Sequence, residues 1–598
     1  MNRFPFINRV IVILAASLIV TALQSCREKE AGSEEKRDAH VVAPGDPVPV
    51  LKKPASTSKK VNIRGVVKNA VEISEQSPVN IMHGKGQGST FKFSAGVVAG
   101  HAPGPVVFSV ESDEMVLTRL IVNPESETGW VEASVEVGSA TDSLTISCDH
   151  PGRGAYLANP RFITNARELP PLYFILIDAL RADALGAYGS DSGASPNLDR
   201  FAREGAVFER AHTSAPFTLT SVASIFTGMY PWQHRVLFAK DAGLVMHEDV
   251  PSLIEELRDA GYHTALFSGT YFFLSRNGLG KGFDHIDEVC APLFFRKAAD
   301  CLTPRVEEWV KRHADEPVFV YVHYVDPHAP YYAPDKFREK YVKGMEKPGH
   351  DDVALGQIEQ FGRNREWWQF YRSPSAFDIR YLRQLYKGEV NYMDDRAGGL
   401  IASIRYAYEG RPHKPAILVT ADHGEAFFEH GNMDHVADLH EPVMRVPLLL
   451  DGPGIPASVR VKGQARTMDF IPTLMDMASL EVPDWTSGRS LLPLLKGGDL
   501  SPAPAGALHF IKGRPEYAIV LWPWKILARP EDDEYELFNL EDDPAEENDL
   551  SEVEAEKLEA LRGVLGDLLE KSTAATKSPD RMDPETRKRL DALGYIDD

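Results

Sequence analysis

The chain has 598 residues, with 65 Lys and Arg against 87 Asp and Glu, and a formal net charge of −22. That length exceeds what one hydrophobic core supports, so two or more domains are expected. The acidic balance argues against nucleic acid or broad polyanion binding, and leaves a soluble body that anionic membrane surfaces repel.

The chain opens MNRFPFINRVIVILAASLIVTALQSC, in which Arg3 and Arg9 precede an apolar run from Val10 to Leu23. The run is too short for an ordinary spanning helix and has signal-peptide flanks. LQSC resembles a bacterial lipobox, with Gln24 an unusual residue in it, and implies cleavage before Cys26 followed by lipidation. Residues 1–26 are therefore expected to be a lipoprotein signal peptide, simple secretion or an uncleaved anchor being the alternatives. Each places the protein outside the cytoplasm, and lipidation would anchor it in the bacterial cell envelope. Arg27 is not the Asp that holds lipoproteins in the inner membrane, so an outer-membrane or periplasm-facing location is expected.

Residues 27–60, rich in Lys, Glu, Ala, Pro and Ser, cannot build a core and read as a disordered linker. From 61 to 166 short runs such as VNIRGVV, TFKFSAGVV and WVEASVEVG alternate with Gly, Pro, Asp and Ser turns, the pattern of a jelly-roll-like β-sandwich. Trp130 is expected in its core rather than on a sugar platform.

Between 171 and 500 apolar strands alternate with helical patterns such as VPSLIEELRDAG, which predicts an α/β domain with a large central sheet. Two strands end in acid: FILIDALRAD (174–183) and AILVTADHGE (416–425). Ligands gather at the carboxyl ends of such strands, so Asp178, Asp422 and His423 are candidate metal ligands. In APFTLTSVASIFTGMYP (215–231) Thr218 falls at or just before a helix start, where its hydroxyl could cap the helix or act as a nucleophile. His323 and His328 follow the apolar run PVFVYV, and Arg181, which could pair with Asp178 or with substrate, is expected to be solvated. Residues 341–380, with Trp367, Trp368 and Tyr371, read as an insertion over the site. Strands in AIVLWPWKILARP and YELFNL predict a small antiparallel subdomain over 501–550, and 551–598 reads as a helical tail. Cys290 and Cys301 could close a small disulfide loop, which leaves Cys148 free and buried.

In order, LIDALRAD, SIFTGMYPWQHRV, LRDAGYHTALF, VHYVDPHAPYYAP, VTADHGEAFFEHG and ELFNLEDDPAEENDL resemble the sulfatase and alkaline phosphatase superfamily over roughly 171–550. The resemblance implies an alkaline-phosphatase-like sandwich, a metal held by Asp178, Thr218, Asp422 and His423, and a nucleophile at Thr218. It also places His328 and His435 near the transferred group. The chain departs from true sulfatases at the Cys-x-Pro-x-Arg motif, whose Cys becomes formylglycine; those positions hold Thr218, Thr220 and Val222. Ala179 replaces the second aspartate of the first strand end, and Ser268, Gly269, Thr270 and Tyr271 replace Gly-Lys-Trp-His.

A threonine ester cannot collapse to an aldehyde, so water must cleave it at the central atom, which favours phosphorus. The expectation is a metal-dependent hydrolase of phosphoesters or phosphonates, with attack by Thr218 and His328 or His435 protonating the leaving oxygen. The alternatives are a sulfatase acting without formylglycine, or a phosphoglycerol or phosphoethanolamine transferase. With one carboxylate fewer, a single zinc or manganese ion is expected, calcium being possible. The substrate is expected to be a small, glycan-linked or lipid-linked anionic ester.

Overall fold

A computed structural model describes residues 59–570, apart from 346–374 and several shorter stretches. The expected signal peptide with Cys26, nearly all of the linker, the body of the insertion and the last of the tail lie outside the described residues.

The strand Leu172–Ile177 is LYFILI, with every residue buried, because neighbours lie on both of its edges and both of its faces are covered. It pairs in parallel with Val318–Tyr324 on one side and Ala416–Thr420 on the other. His263–Ser268 continues the parallel set beyond Val318–Tyr324. Leu448–Asp451 runs antiparallel to Ala416–Thr420, and Ala206–His212 lies beyond it. Among the flanking helices, Ala298–His313 packs on Val318–Tyr324, Leu253–Asp259 on His263–Ser268, and Phe470–Met477 on Ala416–Thr420. This is the large mixed sheet flanked by helices that the alternation of patterns predicts.

Strands between Lys59 and Ile163 form two facing layers. Val106–Ser112 alternates buried and half-buried residues, which turns Val106, Phe108 and Val110 inward against Phe91 and Phe93 of the opposite layer. Trp130 is buried, and its indole N–H donates to the Val66 carbonyl at 3.1 Å. One layer does not end at a linker. Val66–Glu72 pairs antiparallel with His285–Asp287, Lys68 opposite His285, so this layer and the central sheet form one fourteen-stranded sheet. The pairing gives His285–Asp287 a partner where a bare edge would otherwise face solvent.

At the other end, Ala505–Ile511, Arg514–Leu521, Trp524–Arg529 and Glu534–Asn539 make a four-stranded antiparallel sheet. Leu561 and Leu565 of the helix Ala555–Glu570 pack against it. Cys290 and Cys301 are disulfide-bonded with Cα atoms 5.8 Å apart, and Cys148 is free and buried. Among the described residues no helix is long and apolar enough to cross a membrane.

Candidate active site

Three neighbouring parallel strands deliver three side chains to one place. Asp178 follows Ile177 directly, and its N–H donates to the Tyr324 carbonyl at 2.8 Å, extending the ladder by one bond. His323 stands in register with Leu176, and Thr420, two residues before Asp422, pairs with the same Leu176. The ligand atoms of Asp178, His323 and Asp422 all lie within 4.8 Å of one another. His423 Nε2 joins them, 3.5 Å from Asp178 Oδ1 and 3.4 Å from Asp422 Oδ2.

All four side chains are buried, yet Asp178 Oδ1, Asp422 Oδ2 and His323 Nε2 have no hydrogen-bond partner. Leaving such atoms unsatisfied is costly, and a divalent cation would satisfy them together. Burial, then the adjacent Asp422, pushes the Asp178 carboxyl well up; burial also raises Asp422 and drives His423 down to about 3. A cation would reverse the effect on both carboxylates. The donor set of two carboxylates and two imidazoles therefore fits a metal.

His323 is a candidate ligand to which the sequence alone gives little weight. Its other nitrogen, Nδ1, lies 2.9 Å from the Tyr321 hydroxyl, an orienting contact of the kind that metal-binding imidazoles use. Ala179 stands where the resemblance expects a second carboxylate, and it adopts φ 55°. That left-handed turn points its N–H at Asp422 Oδ1, 3.3 Å away.

Thr218 is the first residue of the helix Thr218–Thr227 rather than its cap, which is Phe217, with no side-chain capping bond. Its Oγ1 lies 3.4 Å from His423 Nε2, beside the carboxylates. One turn on, the Ser221 hydroxyl donates to the Asp422 carbonyl at 2.8 Å, tying this helix to the metal loop. Gly424 is required by close approach, since a Cβ there would meet the Pro442 carbonyl oxygen at 2.1 Å.

His328 and His435 come together although 107 residues apart, with Nε2 atoms separated by 3.0 Å. The His435 ring stacks on His423 with centroids 4.0 Å apart. Burial would lower the His328 pKa, but the charges of Asp178 and Asp434 overcome it and raise it, while burial and His423 hold His435 well below the usual range. At Ser268 to Thr270, where the resemblance expects a lysine, the residues are uncharged, and Ser268 Oγ accepts from the Thr270 N–H at 3.2 Å.

Arg181 corrects the expectation of a solvated side chain. It is buried and ion-paired with Asp183 and Glu429, at 2.7 Å each, because folding brings Glu429 to it from far along the chain. His430 and His440 stack on one another at 3.6 Å, and His440 Nδ1 lies 2.6 Å from Asp438.

Residues 170–480, just over half of the chain, match the family model Sulfatase, and 428–574 match N-sulphoglucosamine sulphohydrolase, C-terminal. An arylsulfatase of Clostridium perfringens is 26% identical over 460 residues, covering 66% of this chain and 93% of that protein. An N-acetylglucosamine-6-O-sulfatase of Bacteroides thetaiotaomicron is 25% identical over 483 residues, covering 66% and 85%. The solved phosphonate monoester hydrolase of Agrobacterium radiobacter superposes with a TM-score of 0.54 at 19% identity, covering 67% of this chain and 96% of that one. The fold and the strand-end cluster define an α/β hydrolase of the sulfatase and alkaline phosphatase superfamily, which acts on sulfuric or phosphoric esters. Within it, the chain belongs to the sulfatase family.

Proposed function

We propose that the protein hydrolyses a phosphoester or phosphonate by attack of Thr218 Oγ1 on phosphorus. The observation that carries this reading is the position of Oγ1, at the start of a helix and 3.4 Å from His423 Nε2, beside two buried carboxylates. A cation held by Asp178, His323, Asp422 and His423 would lower the proton affinity of that hydroxyl and offset charge on the transferred group.

The protein's own groups do the rest. The helix start favours negative charge near Thr218. His328, whose pKa is raised, carries a proton that it or His435 gives to the leaving oxygen as the bond to phosphorus breaks. The proton of the Thr218 hydroxyl passes to solvent as Oγ1 bonds to phosphorus. Water then attacks the threonine ester and gives one proton to the histidine pair, replacing the one spent on the leaving group, and the departing Thr218 oxygen takes a proton back from solvent. With no formylglycine at position 218, departure of the acid depends on attack at the central atom, a reaction familiar for phosphoryl groups.

A sulfuric ester is the second reading, favoured by the sulfatase names of the relatives above. The N-acetylglucosamine-6-O-sulfatase among them supports a glycan-linked substrate. The leader supports lipid anchorage at Cys26 in the cell envelope. Steady-state rates on p-nitrophenyl sulfate, phosphate, a phosphodiester and a phenylphosphonate test the reading: the phosphorus esters are expected to exceed the sulfate in kcat/KM. The reverse order would move the assignment to a sulfatase.

A further inference from the structure

Against Arg181, Asp183 and Ala184, just past the turn that carries Asp178, lies a cavity of about 440 Å³. Four cationic side chains, Arg181, Arg380, Arg383 and Lys387, line it against one carboxylate, Asp183. Three of the four belong to the helix Ala376–Ala407 and are spaced i, i+3, i+7, which stacks them on one face. In a chain of net charge −22 this is a local inversion of sign.

The cations differ in how far they are already neutralised. Arg181 is paired with Asp183 and Glu429, and Arg383 shares Glu429 at 2.8 Å. Arg380 lies over the Phe377 ring at 5.4 Å, and among the described residues no carboxylate pairs with it or with Lys387. The lining therefore holds positive charge in excess of its own counter-charges.

The cavity adjoins the backbone turn that follows Asp178. Tyr386 lines it, and the Tyr386 hydroxyl donates to the Ala179 carbonyl at 2.7 Å and accepts from the Arg181 N–H at 2.9 Å. Arg181 is three residues from Asp178, so the two Cα atoms are about 10 Å apart at most. A substrate seated on the metal cluster and extended by a sugar ring or two could reach the cationic wall.

We propose that this cavity is an anion-binding subsite that takes a sulfate or carboxylate borne by the substrate on a group other than the scissile ester. The proposal rests on the reading of the Asp178 cluster as the reaction centre, and it narrows the substrate class to short glycans with at least two oxyanions. Arg380 and Lys387 supply the unneutralised charge, and Arg383 offers a planar fork suited to a second oxyanion oxygen.

The test is calorimetric binding to metal-loaded Thr218→Ala protein, so that no turnover intrudes, using heparin-derived disaccharides with zero to three sulfates. Affinity should rise at least tenfold from the unsulfated to the trisulfated disaccharide. Arg380→Ala with Lys387→Ala should remove that rise, while Arg380→Lys retains most of it and inorganic phosphate binding stays within twofold. Equal affinities along the series, or a double variant that binds like its parent, would overturn the subsite. Inorganic sulfate displacing the trisulfated disaccharide at equal affinity would overturn the glycan assignment. Because the readout is binding, loss of ester turnover in the unmutated protein would count against the function proposed above and leave this result separate.

Discussion

The Nε2 atoms of His328 and His435 face each other at 3.0 Å, while each ring holds its Nδ1 against a backbone carbonyl: His328 on Ala329 and His435 on Pro216, at 2.6 Å in both cases. With both Nδ1 hydrogens spent on carbonyls, the contact between the Nε2 atoms needs one further proton. The raised pKa of His328 and the lowered one of His435 put it on His328. The pair is a single-proton device standing beside the Thr218 and His423 contact.

A raised His328 pKa means that the acid form persists above the ordinary histidine range and is lost as pH rises through the folded value. The pH profile of kcat/KM should therefore fall on the alkaline side. His328→Asn should flatten that limb and lower kcat/KM by about 10²- to 10⁴-fold. An unchanged alkaline limb in the variant would remove His328 from proton transfer.

Thr218→Ala should reduce turnover by on the order of 10³-fold or more, as loss of a nucleophile does. Metal content, read by inductively coupled plasma mass spectrometry, should stay near stoichiometric because Asp178, His323, Asp422 and His423 remain. Thr218→Ser should recover part of the rate. A Thr218→Ala protein with full turnover would end the covalent route.

Removing the metal should weaken the fold in a pH-dependent way. Burial raises Asp178 and Asp422, and the Asp422 charge raises Asp178 further, so without a cation the folded state holds protons that the unfolded chain releases. Stability of the metal-free protein is then fullest below the unfolded value of about 4 and is lost as pH rises towards the raised folded values. The drop in Tm on chelation should be larger at pH 8 than at pH 5.5. His323→Ala should weaken metal affinity at least 10- to 100-fold, since loss of an orienting contact alone does as much. Wild-type affinity in this variant would exclude His323 as a ligand.

The contact between the N-terminal layers and the sheet should be acid-labile. Glu316 lies 3.0 Å from Lys92, 2.8 Å from Arg161 Nε and 2.7 Å from His313, and Glu132 accepts from Lys68 at 2.9 Å. Burial would raise both carboxyls, but Arg161 and His313 hold Glu316 well below its usual range, and Lys68 and His313 do so for Glu132. Their stabilisation is complete above about pH 4.5 and is lost as pH falls through the folded values. Burial pushes His263 down to about 3, so its neutral form also ceases to favour the fold as pH falls below about 6.5. Tm should decline from pH 6.5 downward. Glu316→Gln should cost about 3 kcal/mol at pH 7, measured by denaturant unfolding. An equal Tm at pH 7 and pH 4.5 would refute the linkage.

Much of the site could be read before any coordinates because buried parallel strands announce themselves as unbroken apolar runs, and Asp178 and Asp422 each stand at the end of one. His323 was harder to weigh. A histidine near a strand end has many ordinary uses, and only the register that sets it against Leu176 gives it a carboxylate neighbour. Arg181 was misjudged for the same reason, since its partner Glu429 arrives through a long-range fold contact. The fused sheet was illegible as well. Nothing local in VVKNAVE names HID as its partner, 217 residues away at the Lys68 and His285 pair.

That ladder between Val66–Glu72 and His285–Asp287 also governs how the protein can be cut. A truncation that begins at the first catalytic strand would strip hydrogen bonds from His285–Asp287 and uncover the carboxylate of Glu316, leaving a sticky rim where a finished flank had been. The strands between Lys59 and Ile163 behave as a selvedge woven into the cloth, and trimming them would unravel the hydrolase rather than isolate it.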